Sequence, residues 1–99
     1  MTVLSETDAA RVVLFGFRAG QQLPEHQVPC QIMFQVLRGN LTFTAAGIPV
    51  ELREGMLLEL EANARHSVVA HSESVALLTQ TPNPLAQRQT IQSDAKEER

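Results

Sequence analysis

Three histidines and a single cysteine carry most of the reactive chemistry in this chain of 99 residues. An imidazole titrates near neutral pH, so His26 and His66 could act as an acid, a base, a hydrogen-bond partner or a metal ligand. Cys30 could supply a thiolate, or it could pack as a small buried apolar side chain. His71 is expected at the surface or at an interface.

Strand periodicity indicates which of these groups could meet. Every second residue of a β-strand faces the same side, and His66 begins a predicted strand whose alternate residues are apolar. The same parity connects His26 with Cys30, Ile32 and Phe34. We therefore expect two inward-facing apolar rows with a histidine at the head of each, and a ligand pocket lined by His26, Ile32, Phe34 and His66.

Regularly spaced glycines predict the elements that position these groups. Gly39, Gly47 and Gly55 are eight residues apart and divide short apolar runs, a spacing typical of consecutive antiparallel strands. A helix here would contain a glycine every two turns, at a cost of about 1 kcal/mol each. The sequence predicts an all-β barrel or sandwich of about eight strands, which include 11–18, 32–37, 41–45, 48–52, 56–60, 66–70 and 75–80.

Chain length and composition predict one domain with two short flanking segments. Ninety-nine residues suit a single core, which we place at residues 11–81. Residues 1–10 form an N-terminal arm, and residues 82–99 form a polar C-terminal tail that begins with two prolines. Leu85 and Ile91 give this tail apolar side chains with which it could dock on the barrel mouth.

Charge and hydropathy exclude several classes of partner. Eleven acidic and eight basic residues give a net charge of −3, so we expect no nucleic acid partner, because such proteins need a basic surface. No apolar run approaches the roughly 20 residues of a membrane span, and the N-terminus does not resemble a signal peptide. The single cysteine fits a reducing compartment. We expect a soluble cytoplasmic protein with no membrane partner.

The order and spacing of glycines and histidines resemble the two motifs of the cupins. Gly20, His26 and Gly39 resemble the first motif, G-x5-H-x-H-x3-E-x6-G, and Gly55 and His66 resemble the second, G-x5-P-x-G-x2-H. Residues 12–80 are in this way similar to small single-domain bacterial cupins of the RmlC-like superfamily. The resemblance implies a cupin-type double-stranded β-helix, a small antiparallel jelly-roll barrel, and assembly as a homodimer.

The first motif is degenerate at the positions that bind metal in the family. Metal-binding cupins use two histidines and a glutamate from the first motif and one histidine from the second. Here His26 and His66 match, but Val28 and Ile32 occupy the other two positions. Two imidazoles hold a divalent ion weakly, and Cys30 is a candidate third ligand. One divalent transition metal (Zn, Fe, Mn or Ni) and no metal at all both remain open.

Apolar residues on both faces of several strands indicate that something covers the barrel from outside. Ile32 and Phe34 occupy one parity, and Phe15, Met33 and Leu57 occupy the other. Strands that are apolar on both faces are usually covered on both. The chain offers few helical residues for this, so a second subunit is expected.

Three functions agree with these observations. The first is a cupin that binds a small molecule in its barrel. The alternative is a metal-dependent enzyme, a dioxygenase, isomerase or lyase, in which His26 and His66 hold an ion that activates substrate or oxygen. The third is a dimer with a structural role. Whether the protein is an enzyme is therefore left open by the sequence.

Overall fold

A computed structural model describes residues 1–86, and almost all of its regular structure is β. The strands are β1 (Thr2–Glu6), β2 (Arg11–Phe17), β3 (Gln22–His26), β4 (Gln31–Arg38), β5 (Asn40–Ala45), β6 (Ile48–Arg53), β7 (Leu57–Leu60), β8 (His66–Ala70) and β9 (Ser74–Thr81). The predicted all-β class is confirmed. Strands β1 and β3 were not predicted, and most of their side chains are exposed.

The strands form two antiparallel sheets. The long sheet has the order β1-β2-β9-β4-β7, and the short sheet has the order β3-β8-β5-β6. From β2 onward the chain crosses repeatedly from one sheet to the other, and only the β5–β6 hairpin stays within one sheet. This is the predicted double-stranded β-helix, a small jelly-roll barrel.

The two sheets are held together by alternating apolar side chains on their inner faces. Phe34 of β4 and Phe43 of β5 meet between the sheets, with ring centroids 5.0 Å apart. Burial of each such side chain contributes about 1.5–3 kcal/mol. The core consists of Phe17, Cys30, Ile32, Phe34, Val36, Leu41, Phe43, Leu52, Val68, Ala70 and Ala76.

The outer face of the long sheet carries exposed apolar side chains. Met33 is 36% exposed and Leu57 is 54% exposed, as their parity predicts. Strand β2 differs from the prediction. Phe15, expected on the outer face, packs against the core and lines the internal cavity, and the other odd-numbered residues Val13 and Phe17 are buried. The homodimer inferred from this face stays a prediction.

The C-terminal end of the described chain packs against the connection between β1 and β2. Strand β1 pairs with β2 at the sheet edge. The buried Asn83 amide donates hydrogen bonds to the Glu6 carboxylate and to the Thr7 carbonyl. Leu85 lies beside Glu6 and Asp8, and Ile91 lies outside the described residues. No helix within residues 1–86 is long and apolar enough to cross a membrane.

Candidate functional site

Two histidines face each other on neighbouring strands of the short sheet. His26 ends β3, His66 begins β8, and the two residues are directly paired across the ladder. Their ring centroids are 4.3 Å apart and the rings are tilted by 59°. His66 is buried, with 7% of its surface exposed, whereas His26 is exposed at the rim. The fold therefore brings together the two histidines predicted from the sequence.

An irregularity in β3 turns His26 toward the interior. Leu23 pairs with Val68, and the register then shifts before His26 pairs with His66. In a regular strand, residues 23 and 26 would face opposite sides. The interval of the shift contains Pro24, which has no N–H to donate to a ladder and is suited to a bulge. The extra residue lets Leu23 and His26 share one face.

A cavity of about 40 Å³ lies inside the barrel beside the two imidazoles. All four predicted pocket residues, His26, Ile32, Phe34 and His66, line it. The remaining walls are apolar and come from both sheets: Phe15, Leu23, Phe43, Val68 and Leu78. A cavity of this size holds only a few small atoms, since one water needs about 10–15 Å³. A larger ligand must therefore extend past His26 into the mouth of the barrel.

Phe43 is one of the wall residues that were not predicted from the sequence, and it supports the buried histidine. Its ring stacks on His66 with centroids 5.7 Å apart and planes 12° apart, and it also contacts the ring of Phe34. The signal was available in the alternation of Leu41 and Phe43 along β5, both fully buried. Rigid support of this kind limits the rotation of the imidazole.

Backbone carbonyls determine which nitrogen of each ring carries a proton. His26 Nδ1 lies 3.1 Å from the Pro24 carbonyl oxygen, and His66 Nδ1 lies 3.0 Å from the Ala64 carbonyl oxygen. A carbonyl oxygen only accepts, so both Nδ1 atoms donate. In the neutral rings, Nε2 is then the acceptor on each side. The pair offers two acceptor nitrogens to a molecule that can donate a hydrogen bond.

Loops from the two sheet edges frame this end of the barrel. The Asn63 N–H donates to the Val28 carbonyl at 2.8 Å, which ties the β7–β8 loop to the β3–β4 connection. Asn63 has a φ of 67°, a conformation that asparagine tolerates. Residues 62 and 63 form a turn at this point.

Burial of His66 affects its proton affinity. Desolvation of the charged form lowers the pKa of His66 below its ordinary value of 6.5; the hydrogen bond to the Ala64 carbonyl acts in the opposite direction, and the charge of His26 lowers it further. The ring is therefore held in its neutral, accepting form at neutral pH.

We expect this shift to make the protein less stable in mild acid. Below pH 6.5 the unfolded chain protonates His66 while the folded chain does not, so the free energy of unfolding falls until the lower folded pKa is reached. His66→Gln removes this part of the slope in a series of denaturant titrations from pH 7.5 to 5. His71→Gln, at an exposed position, keeps the slope, and equal slopes in the wild type and His66→Gln would contradict the assignment.

Cys30 does not complete a metal-binding set. Its thiol is fully buried, and desolvation raises its pKa, which disfavours the thiolate that binds metals. Within residues 1–86, no three His, Cys, Asp or Glu side chains are grouped to hold an ion. The donor set that the structure describes is two imidazoles among apolar side chains, and it does not fit a tightly held divalent metal, which takes three or more protein ligands.

His71 lies apart from the cavity, at the exposed position expected of it. Its Nε2 is within hydrogen-bonding distance of the Thr42 hydroxyl and 3.6 Å from the Glu51 carboxylate. The Thr42 hydroxyl donates to Glu51 at 2.7 Å. His71 therefore serves as a matched control for substitutions at the other two histidines.

Comparison with known proteins adds information on the fold. No family model matches the sequence, and no curated protein matches it. Many solved structures do match. One is KdgF from Halomonas sp., with a TM-score of 0.80 and 19% identity over 83% of this chain and 76% of the other.

Two further matches carry family descriptions. A cupin superfamily protein from Desulfitobacterium hafniense gives a TM-score of 0.78 and 18% identity over 83% of this chain and 75% of the other. An RmlC-like cupin from Desulfovibrio desulfuricans gives a TM-score of 0.76 and 27% identity, and the match covers 82% of this chain and 79% of the other. The architecture is thus shared over most of the length of each chain.

Proposed function

Because this chain is a small protein of the RmlC-like cupin fold, we propose that it binds a small molecule inside the barrel, between His26 and His66. The ligand carries a hydrogen-bond donor, such as a hydroxyl or amine group, on a largely apolar body. The donor lies at the histidine pair, and the apolar part lies against the cavity wall and extends through the mouth.

The observation that carries this proposal is the fixed pair of acceptor nitrogens in an apolar cavity. Both Nδ1 atoms are engaged by carbonyl oxygens, and the lower pKa of His66 favours its neutral form. A ligand in the cavity would cover these Nε2 atoms, and an acceptor buried without a partner costs about 1–3 kcal/mol. A molecule that donates to Nε2 is therefore favoured over one that does not. Ile32, at a position where metal-binding cupins have a ligand, and Phe34 both line the cavity and suit an uncharged apolar body.

Phenol and toluene, which are similar in size and shape, test this proposal. We expect phenol to bind at least about tenfold more tightly, because one satisfied hydrogen bond contributes about 1.4 kcal/mol. Binding is measured by amide chemical-shift titration of the full chain. His26→Leu and His66→Leu should each reduce the preference for phenol, whereas His71→Leu should keep it. Equal affinities for the two probes in the wild type would overturn the proposal.

A metal-dependent enzyme is the second candidate, and one observation favours it. Metal-binding histidines usually donate their other ring N–H to a carbonyl or carboxylate, as His26 and His66 both do. The number of ligands opposes it, since the described residues offer only these two. A bound ion would polarise substrate or activate water, but the residues present do not fit one that is held tightly.

Elemental analysis of tag-free protein separates the two candidates. We expect a metal content well below one ion per chain, unchanged in His26→Ala, because two imidazoles give weak affinity for a divalent ion. Metal near one ion per chain, lost in His26→Ala and kept in His71→Ala, would instead support the enzyme. Assays for dioxygenase, isomerase and lyase activity would then follow.

A further inference from the structure

A second and larger cavity lies on the outer face of the long sheet, apart from the histidine site. It is an open groove of about 850 Å³ at the end where β2 and β4 finish and β9 begins. Gly16 and Val75 are direct partners in the ladder and form its floor. Arg18 and Arg38 also line it. None of its lining residues contributes to the cavity at His26 and His66.

Gly16 keeps the floor of the groove open without being required by the fold. A Cβ at this position would meet no atom within 4 Å, and the φ of Gly16 lies outside the left-handed region. The β2–β9 register is regular through Gly16 and Val75, so no bulge explains it. Glycine weakens the interior of a strand, and it often marks a place where a ligand or another backbone approaches closely.

A bulge in β4 turns Arg38 onto the same face. Val36 is fully buried and pairs with Ala76, and the register then shifts so that Arg38 pairs with Val75. In a regular strand Arg38 would follow Val36 into the interior. The extra residue, Leu37, places Arg38 opposite the outward-facing Val75. Bulges are over-represented beside functional sites, where they redirect a side chain.

The polar groups of the groove are mainly hydrogen-bond donors. Within residues 1–86, neither Arg18 nor Arg38 has a carboxylate within ion-pair distance. The Gln21 amide oxygen accepts the Arg18 backbone N–H at 3.0 Å, and its NH₂ group has no partner among the described residues. Glu73 is the acidic group that lines the groove. Two guanidinium groups and one carboxylate leave the groove positive on a chain whose net charge is −3.

We propose that this groove binds the oxyanion group of a small molecule, a phosphate or a carboxylate. Arg18 and Arg38 donate to its oxygens from the two sides, and Gly16 lets it approach the sheet. Arginine suits this task because its planar group donates two parallel hydrogen bonds to an oxyanion. Glu73 limits the total negative charge that the groove accepts. This site is independent of the proposed function of the barrel.

Inorganic phosphate and succinate are the probes for the two forms of oxyanion. Binding to the full chain is followed by amide chemical shifts, which we expect to change at Gly16 and Val75. Arg18→Gln and Arg38→Gln should each weaken binding about tenfold or more, since a hydrogen bond to a charged group contributes about 1.5–3 kcal/mol. Arg53 is an exposed arginine on the short sheet. Arg53→Gln removes the same charge and should leave the affinity for both anions unchanged. Equal weakening by all three would show attraction to net charge only and would overturn the site.

Two further variants test whether the anion binds in the groove itself. Gly16→Val adds a side chain without changing the net charge, so it should abolish binding of both anions while the melting temperature is kept or raised. Glu73→Gln removes the acidic group of the groove and should tighten binding. Binding that survives Gly16→Val, or that is insensitive to Glu73→Gln, contradicts the proposal. The probe that binds with the higher affinity identifies the form of oxyanion, phosphate or carboxylate.

Discussion

Gly39→Ala is expected to destabilise this protein by about 3–5 kcal/mol, the sum of backbone strain and a steric clash. Gly39 joins β4 to β5 with a φ of +85°, where a side chain is unfavourable. An added Cβ would also collide with the Glu73 carbonyl oxygen and lie 2.8 Å from Ser74 Cα. The β8–β9 turn would have to move, so thermal unfolding should shift downward by about 15–25 °C.

Gly47→Ala is the matched control for this prediction. Its φ is +83°, nearly the same as that of Gly39, but an added Cβ would meet nothing within 4 Å. It should therefore cost only the strain of the left-handed conformation, about 1 kcal/mol. Similar losses in the two variants would show that the clash at Gly39 is relieved without cost.

Phe43→Ala is expected to lower the free energy of unfolding by about 3–5 kcal/mol and to disorder the histidine site. Phe43 is 1% exposed and packs against Phe34 from the long sheet and His66 from the short sheet. Its truncation leaves a cavity where the two sheets meet. The loss is measured by denaturant titration, and the pKa of His66, followed by NMR, should return toward its ordinary value as water enters.

Two controls distinguish core packing from support of the site. Phe43→Leu keeps most of the apolar volume, so it should retain more stability than Phe43→Ala, but it lacks the ring that stacks on His66. Ile48→Ala changes an apolar residue that is 66% exposed and should cost no more than about 0.5 kcal/mol. If Phe43→Leu left the His66 ring as ordered as in the wild type, stacking would not be what fixes it.

Strands with a clear alternation of side chains could be predicted, and strands without it, β1 and β3, could not. Strands such as β4 and β5 alternate between apolar and polar side chains, so their positions followed from periodicity. Strand β3 lies at an edge, carries Pro24 and exposes most of its side chains. Its pairing with β8 supplies the stability that its own sequence does not indicate, and tertiary context of this kind overrides local propensity.

His26, Ile32 and Phe34 line one cavity as expected, but not because they share one strand. Counting by twos connected His26 with Ile32 and Phe34 along one strand, but His26 lies in the short sheet and the other two lie in the long sheet. They line one cavity because the sheets face each other. A count along the chain assumes a continuous strand, and the loop between β3 and β4 interrupts it.

The all-β class, most strand positions, the turns at the spaced glycines and four of the nine residues that line the barrel cavity could be predicted from the amino-acid sequence. These features follow from the alternation of side chains and from local backbone preference, both of which depend only on residues that are close together in the sequence. The facing of His26 and His66, and the position of Arg38 in the outer groove, could not be predicted in this way. Both depend on one extra residue in a strand, between Leu23 and His26 in β3 and at Leu37 in β4, and a bulge is set by the register of the partner strand rather than by the local pattern.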